Sequence, residues 1–289
     1  MKNPLFTGTC TALVTPFLNG KVNYPMMEQL LRRQMEAGIR TVVIAGTTGE
    51  SPTLSDAEKL EMFRRAKYYV GDQCKIIAGT GSNSTEHTIE LSIAAQSVGA
   101  DALLIVSPYY NKATPGGLIA HYTAVAEAVH LPIIIYNVPS RTGVDIPVSV
   151  YKALSTVPNI CGIKEASTDI SKILRIRANC GSDLAIWSGN DEMIVPVMAL
   201  GGHGVISVLS NVCPAKTCAM TTAALSGNFE AAASLQASLL PLTDALFCEV
   251  NPIPVKAAMK MIGYDCGECR LPLTSLTSDN HSKLKALLQ

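Results

Sequence analysis

Short apolar runs of strand length recur along the chain: Cys10 to Phe17, Thr41 to Gly46, Lys75 to Gly81, Ala102 to Pro108, Pro132 to Val138, Ile160 to Ser167, Asp183 to Gly189 and Gly204 to Ser210. Their starts fall about 28 residues apart, room for a strand and a returning helix. Between them lie stretches with helical spacing, among them Tyr24 to Ala37, Ser55 to Val70 and Ser84 to Val98. The second opens on Ser55 with Glu58 three residues on, the pattern of a capping box. Leu103-Leu104-Ile105-Val106 and Ile133-Ile134-Ile135 are apolar without alternation, as parallel strands buried on both faces should be. Alternating strands and helices argue for an α/β fold, and eight such units make a (β/α)8 TIM barrel.

Past the eighth run, Pro214 to Leu225 looks helical and Gly227-Asn228 breaks the chain. No strand pattern follows. Phe229 to Leu246, Pro254 to Met261 and Asp279 to Leu288 look helical, so the reading is a barrel over 1–226 and a helical carboxy-terminal extension over 227–289.

Composition narrows the function classes. The 289 residues carry 23 basic and 23 acidic side chains, a net charge of zero, without the basic surplus of a nucleic-acid binder. Only 16% are charged and 48% are apolar, against about 25% charged in average soluble domains, so much of the chain must be buried. The weakly charged stretch Ala231 to Phe247 is interrupted by Ser234, Gln236, Ser238, Pro241, Thr243 and Asp244, short of a membrane span. Leu5 to Leu18 is broken by threonines and Pro16 and reads as a first strand rather than a signal peptide. Nine scattered cysteines suit a reducing compartment, and a cytoplasmic address is expected. Cys266-Gly267-Glu268-Cys269 has the gap of a zinc or redox motif, but no second pair completes it, and two free thiols are the simpler reading.

In such barrels chemistry sits at the carboxyl ends of the strands. Lys164 stands out there, inside Ile160-Cys161-Gly162-Ile163-Lys164-Glu165-Ala166. Alternation puts Gly162, Lys164 and Ala166 on one face, where small neighbours leave room for a long side chain inside the barrel. Two readings compete. Lys164 is either neutralised by an internal carboxylate or snorkelling out, or it is an amine whose charged form burial disfavours, able to form a Schiff base with a carbonyl. Tyr136 stands as far from Pro132 as Lys164 does from Ile160, which predicts similar depth on adjacent strands. Its phenol is either structural or a proton carrier beside the amine. Gly46-Thr47-Thr48-Gly49-Glu50-Ser51 is a turn suited to holding a small carboxylate through hydroxyl and backbone donors. Arg141, after Asn137-Val138-Pro139-Ser140, stands where a guanidinium can grip a second carboxylate.

These segments, with Leu13-Val14-Thr15-Pro16-Phe17, Tyr109-Tyr110-Asn111, Gly201-Gly202-His203-Gly204-Val205-Ile206-Ser207 and Asn251-Pro252-Ile253-Pro254-Val255-Lys256, resemble the pyruvate-dependent class I aldolase family of TIM barrels over nearly the whole chain. The resemblance implies that Lys164 forms an imine with pyruvate, that Tyr136 donates and accepts protons, and that Thr47 with Tyr110 completes a relay to solvent. Tyr110 would come from a neighbouring subunit. Thr48 would hold the pyruvate carboxylate, with backbone contacts from Gly189 and Ile206. The continuation Ser140-Arg141-Thr142-Gly143 implies that Arg141 binds the carboxylate of aspartate semialdehyde. The implied reaction is condensation to 4-hydroxy-tetrahydrodipicolinate in lysine and diaminopimelate biosynthesis. A sialic acid or keto-sugar-acid lyase of the same family is the alternative, with Arg141 the discriminating feature. A non-enzymatic barrel is the third. The family's pattern further implies no metal or organic cofactor and a homotetramer built as a dimer of dimers, with small-molecule substrates and neither nucleic-acid nor membrane partners.

One region departs from the family. Ser51, Asn83 and Tyr109 match the allosteric pocket of lysine-inhibited members, but Asp56, Lys59 and His87 stand where two histidines and a glutamate are often found. Lys59 would repel a lysine ammonium if it points inward; otherwise it is a solvated helix residue. Weak or absent lysine inhibition is expected. Gly79-Thr80-Gly81-Ser82-Asn83-Ser84 lacks the third glycine of a dinucleotide turn. His203 reads as part of a structural turn, Trp187 as wall packing, and no histidine has metal-ligand spacing.

Overall fold

The computed structural model describes residues 2–288. Eight parallel strands close a barrel: β1 (Gly8–Ala12), β4 (Thr41–Ile44), β5 (Lys75–Gly79), β6 (Ala102–Val106), β7 (Ile133–Asn137), β8 (Ile160–Glu165), β9 (Ala185–Ser188) and β10 (Gly204–Ser207). β1 closes the ring by pairing with β10 on one side and β4 on the other. A two-residue hairpin, β2 (Phe17–Leu18) and β3 (Lys21–Val22), stands outside it. Every expected run overlaps a barrel strand, the first starting two residues inside β1, and most runs overshoot at their carboxyl ends. Leu13 to Phe17 is as buried as β1 itself because it crosses the mouth of the barrel under other loops, and a buried loop carries the same apolar signal as a strand.

The principal outer helices are α1 (Tyr24–Glu36), α2 (Asp56–Val70), α3 (Thr85–Ser97), α4 (Pro115–Ala128), a single turn α5 (Pro139–Thr142), α6 (Val148–Leu154), α7 (Ile170–Cys180), α8 (Ile194–Ala199) and α9 (Pro214–Leu225). The Ser55 capping box forms: Ser55 Oγ accepts from Glu58 N, and the Glu58 carboxylate accepts from Ser55 N. α10 (Phe229–Leu246), α11 (Ile253–Met261) and α12 (Ser278–Leu288) follow, α10 against α8 and α9, α12 against α10 and α11. Among the described residues no helix is long and apolar enough to cross a membrane.

Alternation along the strands divides the core. Outward side chains such as Ile133, Ile135 and Ile163 pack under the helices, while Cys10, Val43, Ile77, Leu104, Ile134 and Ile206 fill the barrel. Trp187 belongs to this interior rather than to the wall, and it takes the space that the small residue Gly162 leaves: a Cβ there would lie 2.6 Å from the indole. The room at Gly162 therefore serves the tryptophan, not Lys164. Phe6 stacks on Trp187 at 4.7 Å and its carbonyl accepts from the indole N–H. The Lys2 ammonium donates to the carbonyls of Ser155, Val157 and Ile160, fastening the chain start to α6 and β8. His203 ties β9 to β10, its Nδ1 accepting from Ile186 N and its own N–H donating to Ile186 O. Gly204, at φ +146, passes so close to Gly8 O that any Cβ would collide.

Candidate active site

Lys164 and Tyr136 are direct register partners on β8 and β7, and the ammonium nitrogen sits 4.2 Å from the phenol ring centroid. Both side chains are buried inside the barrel near the carboxyl ends of their strands, Lys164 at 5% exposure. No carboxylate among the described residues pairs with Lys164, so it is neither neutralised internally nor snorkelling out. Ala166 and Gly189 leave the space it occupies: a Cβ on Gly189 would come within 2.6 Å of Ala166 Cβ and 3.2 Å of Lys164 Cε.

The next residues along each strand face outward and hold this pair in register. Asn137 Nδ2 donates to Glu165 Oε1 at 2.7 Å, and Tyr151 OH from α6 donates to Glu165 Oε2 at 3.2 Å. Lys172 of α7 completes the network by ion pairs to Glu165 and Asp145. Burial, then the neighbouring carboxylate, pushes the Tyr151 phenol well up, so it stays protonated as a donor.

The threonine turn leaves β4 through Ala45 and ends at Glu50, both in the left-handed region. Such a conformation in non-glycine residues needs support, and the support comes from the far end of the chain. Glu50 Oε1 accepts from Lys256 Nζ of α11 at 2.8 Å, and its Oε2 from Arg270 N at 2.8 Å. Thr48 is buried, and its Oγ1 accepts from Asn251 Nδ2 at 3.0 Å. Thr47 faces the open cleft.

That cleft measures about 650 Å³ and runs from Tyr136 and Thr47 past Arg141 to Ser51, Tyr109, Asp56, Lys59 and His87. Arg141 is exposed on α5, its guanidinium 3.5 Å from Asn251 O. Ile206, on β10, is wholly buried in the same interior cluster as Tyr136. Tyr110 does not join the site: at φ +73 its side chain is 86% exposed, in the loop after β6. Asn83 is exposed and donates to Tyr109 O without lining the cleft, whereas Ser51 and Tyr109 do line it. Lys59 points inward, buried, with Asp56 Oδ1 at 3.4 Å, while His87 Nε2 meets Asp56 Oδ2 at 2.7 Å. Although burial opposes it, the His87 bond and the Lys59 charge hold the Asp56 carboxyl below its ordinary value.

Sequence reasoning assigned no role to Asn251, Glu50, Glu165 or Lys256. A charged residue inside an apolar segment was the available signal for Glu165 and Lys256, since such groups are rarely buried unpaired; Glu50, in a polar glycine-rich turn, carried no such signal. Cys266 and Cys269 are free thiols, both pushed up to about 12 by burial. This suits packing more than nucleophilic or redox work.

The dihydrodipicolinate synthetase family model matches residues 5–289. The chain is 46% identical to the 4-hydroxy-tetrahydrodipicolinate synthase of Acetivibrio thermocellus over 289 residues, covering 100% of this chain and 98% of that protein. It is 48% identical to the enzyme of the same name from Lachnoclostridium phytofermentans, covering 98% of this chain and 96% of that one. Among solved structures, dihydrodipicolinate synthase from Thermotoga maritima superposes with a TM-score of 0.96 at 41% identity, covering 98% of both chains.

Proposed function

The chain belongs to the dihydrodipicolinate synthetase family, and from that premise we propose that it condenses pyruvate with L-aspartate 4-semialdehyde to 4-hydroxy-tetrahydrodipicolinate, a step of lysine and diaminopimelate biosynthesis. The observation that carries this reading is the buried Lys164 amine, with no carboxylate partner among the described residues and set against Tyr136 at the mouth of the barrel.

The amine of Lys164 adds to the pyruvate ketone, and the carbinolamine loses water as Tyr136 supplies and removes protons at its single oxygen. The imine withdraws electrons, so a methyl proton leaves and an enamine forms. The enamine carbon attacks the aldehyde of the second substrate, making the new carbon–carbon bond. The substrate's own amine then adds to the imine carbon, closing the ring and releasing Lys164. Thr48, with backbone groups at Gly189 and Ile206, holds the pyruvate carboxylate, and Arg141 grips the carboxylate of the semialdehyde. Thr47 and a Tyr110 donated by a neighbouring subunit carry protons to solvent. The working form is a cytoplasmic homotetramer built from tight dimers.

Two measurements test this. Borohydride added with pyruvate should trap one adduct per chain, lost in Lys164→Ala; trapping retained at the wild-type level refutes the assignment of the amine. Purified protein is then given pyruvate plus aspartate semialdehyde, or N-acetylneuraminate alone. Turnover of the second in place of the first would make the chain a sialic acid lyase and overturn the proposed substrate.

A further inference from the structure

We infer that Asn251 is a positioning residue for carboxylate recognition: reaching in from the segment before α11, it aims the Thr48 hydroxyl and seats Arg141, so one residue readies both anion-holding groups. This rests on the Schiff-base reading above.

A threonine hydroxyl has one hydrogen to donate and lone pairs to accept. Asn251 Nδ2 donates to Thr48 Oγ1, occupying the acceptor side, and no carbonyl or carboxylate among the described residues receives the hydroxyl hydrogen. The hydrogen is thereby reserved for an incoming anion. With the opposite arrangement Thr48 would offer lone pairs to a carboxylate and repel it. Asn251 itself is 5% exposed, and its Oδ1 is a buried acceptor with no partner. Buried amides are normally satisfied on both sides, and an unmet one marks a residue kept for something other than packing. Its backbone carbonyl lies 3.5 Å from Arg141 Nη2, an orienting contact for the second carboxylate binder. The segment cannot drift from the turn, because Lys256 on α11 is paired with Glu50, two residues beyond Thr48.

The test is a double-mutant cycle on the full-length protein, read as pyruvate KM and kcat and as borohydride trapping against pyruvate concentration. Asn251→Ala should raise the pyruvate KM about tenfold, the effect of losing one oriented hydrogen bond to a charged group, with kcat changed far less. In a Thr48→Val background the same substitution should add nothing to the pyruvate KM. An unmoved KM, or the full effect persisting in Thr48→Val, overturns the inference. Should Asn251→Ala fail to fold, Asn251→Ser is carried through the same cycle with the same criteria. Wild-type protein that traps no pyruvate sinks the Schiff-base reading instead; wild-type trapping with an unmoved KM sinks only the role of Asn251.

Discussion

At the scale of single residues, the candidate site centres on a lysine and a tyrosine that their places in the strand runs predicted to lie together. Lys164 and Tyr136 are register partners as equal depth predicted, but a register shift between Ile133 and Ile134 is what brings them level: Ile160 pairs with Ile133, and Gly162 with Ile134. Removing the phenol oxygen should therefore cost chemistry and not structure: Tyr136→Phe is expected to lower kcat by roughly 10²–10⁴-fold, the usual worth of a positioned proton carrier, with the thermal midpoint near that of the wild type. Stopped-flow kinetics and calorimetry check the two halves. Lys59 resolves the other way from a solvated helix residue. It is buried and lines the cleft, so the ammonium of free lysine meets a like charge there, partly offset by the Asp56 carboxylate at 3.4 Å, and lysine should inhibit weakly or not at all; strong inhibition at submillimolar lysine would contradict this. Asn251 was illegible because its meaning lies in a hydrogen bond to a residue 203 positions away, which no local pattern encodes.

At the scale of elements, the order of strands and helices was readable and their ends were not. The runs closing at Phe17, Ser167 and Ser210 continue past their strands because the loops at the mouth are themselves buried. Those loops are held from outside by the last helices. Lys256 and Glu50 form an ion pair with almost no exposure, and Lys256→Met should leave the carboxylate buried without its cation, held by the Arg270 backbone N–H, costing about 3–5 kcal/mol in urea unfolding. A second link is pH-dependent. Arg270 holds the Glu58 carboxyl at about 2, against an ordinary 4.5, so the folded state binds this proton less readily than the unfolded chain. The stabilisation is complete above about pH 4.5 and is lost as pH falls towards about 2. The gap in urea midpoint between wild type and Arg270→Gln should be widest near pH 7 and narrow by about pH 3. A constant gap would show that Arg270 acts through its contacts with Thr53 and Gly20 instead.

At the scale of the whole molecule, low charge and high apolar content announced a large buried volume, and the barrel supplies it in two concentric layers. Composition could not say how many chains meet, because the proposed assembly turns on the role of a single side chain, Tyr110, exposed in the loop after β6. If Tyr110 completes a neighbour's site, mixing inactive Lys164→Ala with weakly active Tyr110→Phe and allowing subunits to exchange should restore activity above the mean of the two, since some hybrid sites then contain both intact groups. Activity that stays at the mean would assign Tyr110 to its own subunit or to no site. The barrel floor has a practical consequence of another kind. Trp187 is the only indole in the chain, it is fully enclosed, and it touches both Phe6 from the chain start and the strand that bears Lys164. The protein thus carries its single tryptophan, the one side chain whose fluorescence can be excited selectively, where residues before β1 plug the barrel. Its emission colour reports, without any label, whether that plug is seated, and trimming the first few residues should turn the spectrum red before the surrounding helices unwind.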